Sequence, residues 1–262
     1  TLYSTTTLHI KPIANLDIRS QFTAGITSSE IDNFTHKVPE PGNPSDENRH
    51  DIEHSSLNNW LWETTATYST MIKQHHISAM MGLTTKYDKY KMYGVYTTNY
   101  DREGRHESTL PQANEWTKYK PNEVIWEEAM LSFFGRVGYS WNDRYFATAS
   151  LRRDATSKLY KDNNSGIFPA LSASWKISSE KFFEPLKGTV NLLKLRAGWG
   201  QVGNVALVPR YSWNVPMGNT EWPIIYGKNL NKVVYGVFAE SIATKNLKWE
   251  TTEQWGVGLD VG

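Results

Sequence analysis

An all-β fold is predicted: an antiparallel up-and-down transmembrane β-barrel segment of about nine strands. Three observations lead to it. Apolar and polar residues alternate with a period of two over stretches long enough to cross a bilayer. The joints between these stretches alternate between short turns and longer polar loops. The chain is also rich in rings, with 11 Trp and 14 Tyr in 262 residues, as suits amphipathic side chains at a membrane–water boundary or on a sugar-binding face. The apolar fraction of 39% and mean hydropathy of −0.55 do not argue against a membrane location. Barrel strands average an apolar outside with a polar inside. No run approaches the roughly 18 apolar residues of a membrane helix.

Taken in order, an opening strand ends at Leu8 and Ile10. In the next, Leu16, Ile18, Phe22, Ala24 and Ile26 oppose Asp17, Arg19, Gln21 and Thr23. Trp60, Trp62, Ala66 and Tyr68 then oppose Glu63, Thr65, Thr67 and Ser69, and Ile77, Ala79, Met81 and Leu83 oppose His76, Ser78 and Thr84. Leu131, Phe133, Val137 and Tyr139 alternate with Ser132, Arg136 and Ser140. Tyr145, Ala147, Ala149 and Leu151 alternate with Phe146, Thr148, Ser150 and Arg152. Leu171, Ala173, Trp175 and Ile177 face away from Ser172, Ser174 and Lys176, as Leu193, Leu195, Ala197 and Trp199 do from Lys194, Arg196, Gly198 and Gly200. The last strand sets Trp255, Val257, Leu259 and Val261 against Gln254, Gly256, Gly258 and Asp260.

Short turns are expected near Ile13-Ala14, Lys73-Gln74 and Asn142-Asp143, with a longer one over 178–190. Long polar loops are expected near 30–56, 94–125 and 204–248, and a shorter one at 161–166. Short periplasmic turns opposite long extracellular loops are the barrel pattern. A charged side chain facing lipid at mid-membrane costs about 2–4 kcal/mol. Arg19, Arg136, Arg152 and Arg196 all fall on the polar face of their strands, so they are expected to line the lumen.

A net charge of +1 without a basic patch points away from nucleic acid. With no cysteine there is no disulfide scaffold and no Cys-based metal or redox site. Gly198-Trp199-Gly200-Gln201-Val202-Gly203 matches the dinucleotide-loop spacing, but Val205-Ala206-Leu207-Val208-Pro209 reads as a β-like run broken by proline, where that loop demands a helix. The glycines are read as easing strand twist. His50 and His54, with Asp51 and Glu53, could present metal ligands only on a helix, and the Pro- and Gly-rich residues before them argue for a solvated loop. Glu127, Glu128, Glu250 and Glu253 lie near aromatics, as a glycosidase pair does, yet acidic residues are common at strand rims. No cofactor and no catalytic residue is expected. Tyr211, Trp213, Trp222, Tyr226 and Tyr235 crowd the 204–248 loop. They are read either as contacts to cargo or to a protein lid, or as packing of the loop on itself. Trp60, Trp62, Trp175 and Trp199 are read as girdle residues.

Five stretches carry a family resemblance: Ser132-Phe133-Phe134-Gly135-Arg136-Val137-Gly138-Tyr139; Asp143-Arg144-Tyr145 leading to Ala149-Ser150-Leu151-Arg152-Arg153-Asp154; Gly166-Ile167-Phe168-Pro169-Ala170 with Ala173-Ser174-Trp175; Leu193-Lys194-Leu195-Arg196-Ala197 through Val202-Gly203-Asn204; and Asn246-Leu247-Lys248-Trp249-Glu250-Thr251-Thr252 with Gly258-Leu259-Asp260. In this order they resemble the SusC/RagA family, the TonB-linked outer-membrane transporters of Bacteroidetes. Ala155 stands where that family favours Gly. Residues 1–129 share only the hairpin style.

The resemblance implies an importer of glycans or peptides in the cell outer membrane. It also implies a SusD-like surface lipoprotein as lid, and energy from TonB–ExbB–ExbD acting on a plug. The chain opens Thr1-Leu2-Tyr3 without Met and is expected to be one partial barrel domain over 1–262, with plug and TonB box elsewhere. The rival expectation is a soluble carbohydrate-binding or glycan-hydrolysing β-sandwich, whose apolar faces would bury one another.

Overall fold

The computed structural model describes residues 1–38, 47–100, 122–215, 217–219, 224–226, 232–234 and 236–262, with only the backbone described at 122, 219, 224–226 and 232–234. Nine strands form one sheet: β1 (Leu2–Ile13), β2 (Leu16–Thr35), β3 (Arg49–Ile72), β4 (His75–Thr98), β5 (Asn122–Trp141), β6 (Tyr145–Thr156), β7 (Ser165–Lys176), β8 (Leu193–Asn204) and β13 (Glu250–Val261). They lie side by side in that order, which is the up-and-down meander expected from the alternation. Between β8 and β13, four three-residue strands make two small hairpins: β9 (Met217–Asn219) with β12 (Val237–Ala239), and β10 (Ile224–Tyr226) with β11 (Lys232–Val234).

Two compact units are present. The first holds 1–7, 21–62 and 86–128; the second holds 8–20, 63–85 and 129–262.

In the second unit the register settles which residues share a face, because directly paired residues point the same way. Val137 pairs with Ala149, Ala149 with Leu171, Leu171 with Trp199, and Trp199 with Trp255. One row away, Gly138, Thr148, Ser172, Gly198 and Gly256 form the opposite face by the same pairings. The apolar row is open to its surroundings: Trp255 is 81% exposed, Val257 71% and Leu171 55%. Among the described residues the buried hydrophobic side chains are Tyr100, Leu159, Phe168 and Phe183, fewer than the buried polar ones. A water-soluble sandwich hides its apolar faces. This sheet displays one, and the sandwich alternative falls with that observation.

The turns follow from their residues. Lys73, Asn142 and Asp143 adopt positive φ angles of 57°, 51° and 52°, and Asn and Asp tolerate this left-handed region better than most. The 177–192 joint, between β7 and β8, is built differently, from two 3-10 segments, Ile177–Ser179 and Lys181–Leu186. Glu180 holds it to the strands. Its carboxylate accepts from the Tyr145 hydroxyl at 2.7 Å, the Trp175 indole N–H at 3.1 Å and the Arg144 guanidinium at 3.1 Å. The same end of the second unit carries a run of stacked rings on the apolar face: His75 with Trp141 (6.3 Å between centroids), Trp141 with Tyr145 (5.6 Å) and Tyr145 with Trp175 (6.2 Å). Trp175 thus lies in a run of rings at this end, whereas Trp199, expected to share that role, sits mid-strand in the row of Ala149 and Leu171.

In the first unit Trp60 stacks between Phe22 (6.2 Å) and Tyr87 (6.0 Å). There Asn48 and Tyr100 exchange hydrogen bonds through the Asn48 side chain and the Tyr100 backbone, at 3.0 and 2.6 Å.

Three expectations are corrected. The polar stretches 30–56 and 94–125 are shorter as loops than predicted, because β2 runs to Thr35, β3 starts at Arg49, β4 reaches Thr98 and β5 starts at Asn122. Beyond an apolar zone strands continue to pair through their backbones while both faces turn polar, which removes the alternation that a sequence reading follows. The third concerns 205–209, which is a turn and not a β-like run. The Asn204 carboxamide oxygen accepts the Ala206 N–H at 2.8 Å and closes the strand.

A buried ring locks the long-loop end of the second unit. Phe168 packs edge-on against Trp249 at 5.3 Å, and its ring fills the space a side chain on Gly166 or Gly203 would need, within 2.5 and 2.0 Å of the Cβ positions. Gly203→Val is therefore expected to destabilise the folded full-length receptor by about 1–3 kcal/mol, read as a lower temperature for loss of its fast-migrating folded band on gels. An unchanged profile would show that the ring moves freely. A second outcome concerns pH. The Tyr145 and Trp175 donors, with Arg144, hold the Glu180 carboxyl below its ordinary value. A carboxyl so depressed stabilises the fold above its unfolded pKa and loses that contribution as pH falls through the folded one. Glu180→Gln is expected to lower thermal stability at pH 7 and to converge with the unsubstituted protein in acid, below the ordinary carboxylate range. Parallel curves at every pH would refute the role of the charge.

Candidate functional site

Two places gather polar and aromatic side chains in the second unit: the polar face of β5–β8 and β13, and the loops beyond its strands. On the polar face Arg136 pairs with Ser150, Arg152 lies between Phe134 and Phe168, and Arg196 lies between Ser174 and Gly258. Arg19 shares this sidedness by alternation. Its neighbour Ser20 hydrogen-bonds Thr64 at 2.9 Å, and Thr64 lines an apolar groove with Leu151 and Ile167. All four predicted arginines thus lie opposite the apolar face.

Arg152, Arg196 and the nearby Lys194 are steered by what surrounds them. The Arg152 guanidinium donates to both oxygens of Asp154 at 2.7 and 3.0 Å and lies over the Phe134 ring at 5.3 Å. Arg196 reaches Asp260 at 3.4 Å across Gly258, whose missing side chain leaves room for it. The Lys194 ammonium sits 4.8 Å from the Phe146 ring centre. A shallow groove lined by Phe146, Thr148, Ser172, Ser174, Lys194 and Arg196 results. The Arg196–Asp260 pair is exposed and adds little stability, whereas Asp154 is buried beneath its Arg152 partner. Both pairs orient charge along a polar, glycine-bearing surface that offers hydrogen bonds and no nucleophile–base pair.

At the long-loop end the predicted aromatics separate. Tyr211 and Trp213 meet edge-on at 6.4 Å, and Trp213 also lies 6.4 Å from Tyr160. The Trp213 indole N–H donates to the Ser157 carbonyl at 3.3 Å. Tyr226 belongs to β10, opposite Lys232. Trp222 and Tyr235 lie outside the described residues. The sequence reading missed Tyr160, Lys161 and Lys245, whose two ammonium groups flank the Tyr160 ring at 5.9 and 5.3 Å. A Tyr-Lys dipeptide in a short loop carries no signal of that convergence. The loop is also fastened to its neighbour, with the Asn163 amide donating to the Lys245 carbonyl at 3.1 Å and the Trp249 indole to the Asn164 carbonyl at 3.0 Å; within that neighbour the Thr244 N–H donates to the Ser212 carbonyl at 2.8 Å.

The remaining candidates resolve by periodicity. Glu127 and Glu128 are adjacent on β5, and Glu250 and Glu253 are an odd number apart on β13, so the members of each pair point to opposite faces. Glu253 accepts the Trp199 indole N–H at 2.6 Å, Glu250 the Asn204 amide at 3.2 Å, and Glu127 the Lys89 ammonium at 2.5 Å. His50 and His54 sit on β3, neither in the expected solvated loop nor on a helix. On a strand they are about 13 Å apart, and His50 is taken up by Asp32 at 2.8 Å. The glycine motif 198–203 lies wholly within β8. One arginine departs from the pattern: Arg153 pairs with Phe133 and Ile167 on the apolar face.

The family described as "TonB dependent receptor-like, beta-barrel" matches residues 6–262. The chain is 28% identical over 210 residues to TonB-dependent receptor P3 of Formosa agariphila, covering 80% of this chain and 20% of that protein. It is 32% identical over 178 residues to TonB-dependent receptor SusC of Bacteroides thetaiotaomicron, covering 60% of this chain and 16% of the relative. A solved RagAB peptide transporter superposes with a TM-score of 0.84 at 20% identity, over 99% of this chain and 28% of that one. The chain thus spans about a fifth of the length of the curated relatives it matches. With its open apolar face and its meander of nine strands, the chain belongs to the β-barrel family of TonB-dependent receptors of the outer membrane, a family of receptors and not of enzymes.

Proposed function

We propose that this chain forms part of the wall of an outer-membrane importer of the SusC/RagA type, carrying glycans or peptides with a SusD-like lipoprotein as lid. Energy comes from TonB–ExbB–ExbD, acting on a plug region that these residues do not include. The observation that carries this reading is the two-sided sheet of a TonB-dependent receptor. Its apolar row of Val137, Ala149, Leu171, Trp199 and Trp255 faces lipid, and its opposite side, with Arg19, Arg136, Arg152 and Arg196, lines a watery passage. The wall supplies no bond-making chemistry. Its work is to present oriented charge and hydrogen-bonding groups to a solute that passes, which requires weak contacts throughout.

The outer contact is assigned to Tyr211 and Trp213, joined by Tyr160. Their rings offer flat apolar faces next to the Lys161 and Lys245 ammonium groups. That combination suits a sugar ring or a peptide side chain, or the lipoprotein surface that delivers it. Trp222, Tyr226 and Tyr235 are assigned to the same loop function on sequence alone.

Two experiments on the full-length receptor test this. Lys at position 149 faces lipid, whereas Lys at 150 faces the passage. Ala149→Lys is expected to cost about 2–4 kcal/mol and to deplete folded receptor from the outer membrane, while Ser150→Lys leaves it near normal. Equal tolerance of both refutes the sidedness. The double variant Tyr211→Ala with Trp213→Ala is expected to assemble normally. Loss of one or two ring contacts, each worth about 0.5–1.5 kcal/mol, reduces uptake at limiting cargo by roughly two- to hundredfold. Normal uptake by an assembled double variant removes the loop from the cargo path.

A further inference from the structure

Arg152 and Arg153 are neighbours in β6 and therefore point to opposite faces. Their surroundings differ sharply. Arg152 is bound by Asp154 and covered by Phe134. Arg153 is exposed, and no carboxylate, ring or carbonyl among the described residues engages its guanidinium. In register it lies between Phe133 and Ile167, and with Met81, Leu83 and Leu151 these residues line a groove of almost wholly apolar walls. This inference rests on the lipid-facing reading of the apolar side given above.

An unpaired arginine facing lipid is costly at mid-membrane and nearly free at the interface. Arg153 sits three residues from the long-loop end of β6 (Tyr145–Thr156), whereas the ring girdle of Trp141, Tyr145 and Trp175 marks the opposite end. With the long loops outside, as the proposed importer reading has them, that height corresponds to the headgroup level of the outer leaflet. A guanidinium is a planar fork of donors that matches phosphate oxygens two at a time. The groove continues from it toward mid-membrane along Leu151, two residues nearer the short turn, with Met81 and Leu83 beside it. A headgroup phosphate on the fork and an acyl chain in the groove satisfy both halves at once.

We propose that Arg153 and this groove seat a phosphorylated glycolipid of the outer leaflet, its phosphate on the guanidinium and one acyl chain along Met81, Leu83, Phe133, Leu151 and Ile167. The test uses the full-length receptor in mild detergent, with lipid binding read by native mass spectrometry. Two probes are compared, lipid A carrying its phosphates and the same lipid A after phosphatase treatment. The unsubstituted receptor is expected to hold the phosphorylated form roughly tenfold better. Arg153→Gln abolishes that preference and Arg153→Lys keeps part of it, since a point charge replaces the fork. Inorganic phosphate at equal concentration displaces little of the lipid, because it lacks the chain. Equal binding of both probes by the unsubstituted receptor overturns the proposal without any variant having to fold, and an undiminished preference in Arg153→Gln does so too. Either result leaves the lipid-facing assignment standing, because that is decided separately by the lysine pair at 149 and 150.

Discussion

Backbone amide and carbonyl groups cannot be left unpaired in a hydrocarbon layer, and this constraint organises the whole chain. A strand meets it only by pairing on both edges, so crossing strands must be long, continuous and neighbours in sequence. The meander order and the uninterrupted pairing of β5 through β8 and β13 are that solution. Once the backbone is committed, each strand has two sides and two solvents. Side-chain chemistry is then sorted by parity alone, with Val137, Leu171 and Trp255 on one side and Arg136, Ser172 and Arg196 on the other.

The polar side shows how a surface can be charged without becoming sticky. Arg152 and Arg196 are each tethered to a nearby carboxylate, and Lys194 rests on an aromatic ring. Small residues stand between them, Gly198, Gly256 and Gly258 among others. Under the proposed import reading, a solute moving along such a face meets many weak contacts. The girdle at the other boundary is equally economical: Glu180 collects three donors, two of them girdle rings and the third from the adjacent turn, and so ties an irregular joint to two strands.

The meander was legible in the sequence wherever the two sides of a strand meet different solvents. That is why β5 to β8 and β13 and the short turns at Lys73 and Asn142 emerged with their sidedness intact. It was illegible where both sides meet water. The outer parts of β2 to β5 read as loops because Glu30, Asp32 and Asn33, or Thr97, Thr98 and Glu123, show no periodic contrast. The four lumen candidates could be placed by parity, since arginine is costly on the wrong face. Arg153 escaped notice because its neighbour satisfied the rule. The aromatic loop was found by composition, but Tyr160 and its two lysines are brought together from positions 85 residues apart or fewer, a long-range convergence that no local pattern encodes.

The fastening of the 205–249 segment to the 157–164 connection has a mechanical consequence. Trp213 hangs from the Ser157 carbonyl, Trp249 from Asn164 and Lys245 from Asn163, so two connections separated by a pair of strands behave as one hinged plate. Anything that pulls on Trp213, Lys245 or Trp249 is felt at the root of the shorter connection, and through the Phe168 ring in the strands beneath. A docking event at this rim therefore carries leverage on the wall itself.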